Sequence, residues 1–146
     1  WKDMEDARTQ MAYGLSVCDI LKISDNEIQW FSGKEDYTEG IHMLQQTYQI
    51  PLILLSMGKD GSRAYYKDML VEVPAFLQKN TIETTGAGDT FGACCLHHIL
   101  KYGLDNLTKQ QLKEMLTFAN AAASIITTRK GALRVMPSLE EIQRLL

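Results

Sequence analysis

The stretch Thr84-Thr85-Gly86-Ala87-Gly88-Asp89-Thr90-Phe91 concentrates the chemistry of this 146-residue chain. Gly86 and Gly88 leave the backbone open to close approach by a ligand and permit angles that other residues resist. A run of small and apolar residues follows, which predicts a buried helix over residues 88–102. The amides of Ala87, Gly88 and Asp89 would then be unpaired donors at a helix mouth, where the macrodipole adds partial positive charge. Such a place holds anions, and phosphate most naturally. Asp89 has two readings: an ordinary helix-terminal charge or cap, or a carboxylate facing whatever the loop holds. A simple cap needs no pair of glycines in front of it.

Other phosphate motifs are excluded by their spacing. The Gly58-Lys59 pair is followed by Asp60, not by Ser or Thr, so it is not a P-loop. A dinucleotide fingerprint would need a third glycine where Phe91 stands, and Asp105 falls between two helices rather than at the end of a strand. A dinucleotide-binding oxidoreductase is therefore a poor fit. Ser24 and Glu27 stand three apart before an apolar run and read as a capping box. The competing reading has Glu27 reach, through water, a magnesium ion carried by phosphates. Ser56 to Gly61, with Gly58 and Lys59 between them, lie at the carboxyl end of a buried strand, where open α/β sheets bind ligands. The small-residue face Asn120 to Ser124, including Ala123, serves either close helix packing or a flat base.

These residues need elements to hold them. Met4, Ala7, Met11, Ala12 and Leu15 predict an amphipathic helix over 3–15, followed by a short strand at 18–23. A short helix follows Ser24, another covers 36–48, and the apolar run 50–57 predicts a buried strand. Strand, helix, strand in that order implies a parallel pair with a crossover. The runs 62–66 and 70–75 then extend the sheet as an antiparallel edge. Helices are expected over 88–102, over 109–127 with Thr108 as cap, and after Ser138, with Glu141 three residues on. The expected architecture is a single α/β unit over residues 1–146.

Composition narrows the function classes. With 45% hydrophobic and 23% charged residues and a net charge of −3, the chain lacks the basic footprint of a nucleic-acid binder. No apolar run approaches a membrane span, and a cytoplasmic protein is the expectation. Cys18, Cys94 and Cys95 make no disulfide framework, and His42, His97 and His98 lack metal-ligand spacing.

Taken together, Ile20 to Gly33, Leu54 to Tyr66, Glu83 to Ala93 and Phe118 to Leu133 resemble, in order and spacing, the C-terminal half of the PfkB, or ribokinase-like, sugar kinases, with bacterial fructokinases nearest. The resemblance covers essentially the whole chain. It implies a mostly parallel sheet with an antiparallel edge, flanked by helices, in a family whose chains are about twice as long. It further implies that Asp89 is the base for a sugar hydroxyl and that the amides of Gly86, Ala87 and Gly88 form an anion hole for the transferred phosphoryl of ATP. Ser56, Gly58, Lys59 and Gly61 would border ATP, Asn120 and Ala123 its adenine or ribose, and Glu27 would help organise Mg2+. Ser24 replaces an asparagine common in the family. Glu83 replaces an aspartate near a monovalent cation, so a potassium site completed by residues 128–132 stays open. The sugar-reading half and the lid would lie outside these residues, in a parent whose homodimerisation is also open. The isolated chain is expected to phosphorylate no sugar appreciably. A non-catalytic nucleotide-binding or regulatory module is the alternative.

Overall fold

The computed structural model describes residues 1–146. Asp3 accepts the amide of Asp6 and opens helix α1 (Met4–Val17), which buries Ala7 and Leu15 while Met4 stays exposed. Strand β1 (Ile20–Ser24) runs into α2 (Asp25–Ser32). Arg8 lies over the Trp30 ring and donates to the carbonyls of Trp30 and Phe31, which ties α1 to α2. Helix α3 (Tyr37–Tyr48) completes the crossover to β2 (Leu52–Ser56). β1 and β2 are parallel, in register from Ile20 opposite Leu52 to Ser24 opposite Ser56.

A one-turn 3-10 segment (Gly58–Asp60) leads to β3 (Ser62–Tyr66), and β4 (Met69–Val73) ends where Pro74 brings no N–H to continue the ladder. The sheet order is β1-β2-β3-β4, with the last two pairings antiparallel. The expected parallel part is thus confined to one pairing, because only one helical crossover between strands lies within this chain. Two long helices follow, α4 (Ala87–Tyr102) and α5 (Lys109–Ile126), then a short α6 (Leu139–Gln143). Thr108 and Ser138 cap α5 and α6 with reciprocal bonds to Gln111 and Glu141.

The period of two along each strand splits the core in half. Leu52, Leu54, Ala64, Tyr66, Val71 and Val73 face Phe91, Cys95 and Ile99 of α4 and Leu112, Met115, Leu116 and Ala119 of α5. Ile23, Ile53, Leu55 and Tyr65 face the opposite way, against Ile28, Ile41 and Leu44. Fully burying a Leu, Ile or Phe side chain contributes about 1.5–3 kcal/mol, so both layers hold the sheet firmly. No helix is long and apolar enough to cross a membrane. The consequence for chemistry is positional: the carboxyl ends of β1 and β2 and the mouth of α4 meet on one side of the sheet.

Candidate functional site

A cavity of about 310 Å³ opens at that meeting point. Ser56, Gly58, Lys59 and Gly61 line one side of it, Ala87 and Gly88 a second, and Asn120 and Ala123 a third. Segments far apart in sequence therefore converge, while Ser24, Glu27, Gly86 and Asp89 do not line this cavity. The fourth wall was not expected. It is the irregular stretch after Pro74, which contributes Phe76, Leu77, Gln78, Thr81 and Thr84. Irregular backbone carries no hydrophobic period, and Pro74 marks only where the strand must end.

The loop before α4 departs from expectation in one respect. Gly86 adopts φ 79°, and a Cβ there would approach Ala132 to 3.1 Å, so the bare position is required. The amide of Ala87, however, donates to Thr84 O at 3.1 Å and is not a free donor. A tight turn must satisfy its own backbone, and this one uses Ala87 to do so. The amides of Gly88 and Asp89 keep no backbone acceptor, so the open donors shift toward the helix. Asp89 lies in the first turn of α4, exposed to solvent, and the helix has no side-chain cap at Gly86. Its carboxylate is therefore available to a ligand.

Ser24 and Glu27 form the capping box: Ser24 N donates to Glu27 Oε2 at 2.7 Å, and Glu27 N donates to Ser24 Oγ at 3.3 Å. Partial burial pushes the Glu27 carboxyl up, but the Ser24 amide and hydroxyl and the Lys22 charge outweigh it and hold it below its ordinary value. It remains ionised at neutral pH with Oε1 free. No three His, Cys, Asp or Glu side chains cluster to hold a metal by themselves.

The sequence profile of the pfkB family carbohydrate kinases matches residues 1–139. The chain belongs to this family. It is 32% identical to fructokinase-1 of Zea mays over 146 residues, covering all of this chain and 45% of the maize protein. Against the fructokinase of Klebsiella pneumoniae it is 33% identical over 145 residues, or 99% of this chain and 46% of that one. The structure of fructokinase from Vibrio cholerae O395, with fructose, ADP and calcium ion bound, matches the whole chain and 46% of its own length at a TM-score of 0.89 and 25% identity. Aminoimidazole riboside kinase from Salmonella enterica shares the fold at a TM-score of 0.85 and 23% identity, across 99% of this chain and 48% of that one. The chain thus spans a little under half the length of these relatives.

In this pfkB chain Glu83 does meet the 128–132 loop, but by accepting the Gly131 amide at 2.7 Å. One carboxylate oxygen is engaged in joining the two segments. Asn120, 7% exposed, is also engaged within the fold, since its Nδ2 donates to Val73 O and Pro74 O at 3.2 and 3.0 Å. It anchors the end of β4 and the start of the cavity's fourth wall. Asn120→Ala should cost about 1–3 kcal/mol, the usual penalty for buried polar groups left without partners. A denaturant titration checks this, and a value near zero would show that the wall is held by other contacts. The cysteines are free, and burial pushes the Cys94 thiol up to about 11, so none is set up as a nucleophile.

Proposed function

We propose that this chain supplies the nucleotide half of a cytoplasmic, fructokinase-like enzyme that transfers the γ-phosphoryl group of ATP to a hydroxyl of a small sugar. The observation that carries the reading is the cavity between the Gly58–Gly61 turn and the glycine loop, with unpaired amides at Gly88 and Asp89 and an unengaged carboxylate beside them. The base would lie against Ala123 and the 56–61 turn, with the phosphates toward residues 86–89.

Phosphoryl transfer is mostly positioning and charge stabilisation, which preorganised amides at a helix mouth supply. As the sugar oxygen bonds to the γ-phosphorus, the bond to the β–γ bridging oxygen breaks and its electrons leave with ADP. The hydroxyl proton passes to Asp89. Glu27 would hold magnesium through water; the ion, when bound, neutralises charge on the phosphates. The residues fit that use, because magnesium prefers one or two carboxylates with phosphates and waters to an all-protein cage. Glu83 has one oxygen left for a monovalent cation such as potassium. A purely nucleotide-binding module would have no use for a free carboxylate at Asp89, so we favour catalysis.

Titration with ATP and with NADH, followed by chemical-shift mapping, tests the reading. ATP should perturb residues 56–61, 86–89 and 120–123, while NADH leaves them unmoved. No ATP binding at about 1 mM, the level of roughly 4 kcal/mol, would overturn it. So would tight NADH binding.

A further inference from the structure

The irregular wall of the cavity is tied to α5 at two side chains one helical turn apart, Asn120 and Ser124. Asn120 holds its start at Val73 O and Pro74 O, and Ser124 holds it further on, where Gln78 Nε2 donates to Ser124 Oγ at 3.2 Å. Thr81 Oγ1 donates to the Gln78 carbonyl at 3.1 Å, so the backbone of this residue is held as well. Gln78 is half-buried and lines the cavity together with Ala123 and Ser124.

Hydrogen bonding fixes which way the Gln78 amide is turned. A serine hydroxyl has a single proton to give. Ser124 Oγ, on a residue 8% exposed, gives its proton to Ala121 O at 2.8 Å, so toward Gln78 it can only accept. The NH2 group must therefore face Ser124, because the reversed amide would set its oxygen against another acceptor. Gln78 Oε1 is left with no hydrogen bond inside the chain. A residue that served packing alone would have no use for that oxygen, since an apolar side chain of the same volume leaves nothing to satisfy. On a wall whose other members include Phe76, Leu77 and Ala123, Gln78 is a polar group of fixed polarity: an acceptor.

A fixed acceptor sorts ligands by what they offer it. Adenine carries an amino group at position 6, which donates, whereas guanine and hypoxanthine carry an oxygen there, which only accepts. The amino group completes a hydrogen bond; the oxygen sets two acceptors face to face and leaves both without the water they had. We propose that Gln78, with its amide oriented by Ser124, reads the 6-amino group of the nucleotide and selects adenine over 6-oxopurines. The inference rests on the ATP reading given above and adds to it the residue pair that chooses the base.

Calorimetric titration of the chain and of its Gln78→Leu and Ser124→Ala variants with ATP and with inosine triphosphate tests it, because the two nucleotides differ only along one edge of the base. The wild-type chain should bind ATP roughly 5- to 100-fold more tightly, the range for a polar group matched in one complex and left unpaired in the other. Gln78→Leu should bring the two affinities together, mainly by weakening ATP. Ser124→Ala frees the amide to turn its NH2 group toward an oxygen, so inosine triphosphate should gain and the preference should narrow. Equal binding of the two nucleotides by the wild type would overturn the inference while leaving the ATP reading intact. An equal loss for both in Gln78→Leu would also overturn it, because Gln78 would then only hold the wall. So would a full preference for ATP in Ser124→Ala, since the serine would then not orient the amide. A wild-type chain with no ATP affinity would overturn the functional reading and this inference with it.

Discussion

Replacing Asp89 with asparagine in the full protein that carries this chain should lower kcat by roughly 10²- to 10⁴-fold, the usual worth of a positioned general base. The change keeps the size of the side chain and its capacity to hydrogen-bond at a helix end. It removes only the charge and the ability to take a proton. The structure makes the experiment clean, because Asp89 is exposed and α4 begins at Gly86 without a side-chain cap. The stability at risk is the interaction of one carboxylate with the helix dipole, about 0.3–1 kcal/mol. The melting temperature should therefore stay nearly fixed. KM for ATP should change little, since the lost interaction belongs to the acceptor side of the reaction. Steady-state kinetics and melting on one preparation decide the matter. A kcat close to wild type would mean that Asp89 serves only the helix and that another group takes the proton.

The parts of this site that were legible in the sequence share one property: their signals are local. Glycines at 86 and 88 before an apolar run, Ser24 three residues before Glu27, and a glycine-bounded turn after a continuous apolar strand each announce themselves within a few residues. The structure places the 56–61 turn, the start of α4 and the Asn120–Ala123 face around one cavity. What was not legible depends on contacts between elements or on irregular backbone. The wall formed by Phe76, Leu77 and Gln78 has no period to read. The turn that engages the Ala87 amide is a matter of loop closure, and glycine content alone could not foretell which amides would stay open. Lys22 reads as one polar position in a strand until β1 and α4 are docked, when it proves to lie against Gly88. Asn120 could be picked out as a lining residue, but its two backbone partners at Val73 and Pro74 appear only once α5 packs on β4.

Gly61→Ala should be the most damaging single methyl addition at the cavity, and it acts through the fold rather than through chemistry. Gly61 adopts φ 97° and ψ −139°, a region that side chains avoid, and an added Cβ would lie 2.2 Å from Val73 O, 2.8 Å from Pro74 Cα and 2.9 Å from Ala75 N. All three are backbone atoms, so no rotamer change relieves the overlap. Backbone strain of about 1–3 kcal/mol adds to a packing penalty of similar size, giving an expected loss of about 2–6 kcal/mol. That is a large share of a typical folding stability of about 5–15 kcal/mol. Whatever relief occurs must move the 57–61 turn or the 73–75 segment, and both border the cavity. Nucleotide affinity should therefore fall together with stability, the opposite of the separation expected for Asp89→Asn. Gly58 supplies the control: its φ is also positive, at 53°, but nothing lies within 4 Å of a Cβ placed there. Gly58→Ala should cost only about 1 kcal/mol of backbone strain. Urea unfolding and ATP titration of the two variants side by side test the account. If Gly61→Ala were no less stable than Gly58→Ala, the contact between the turn and the end of β4 could not be what shapes the cavity.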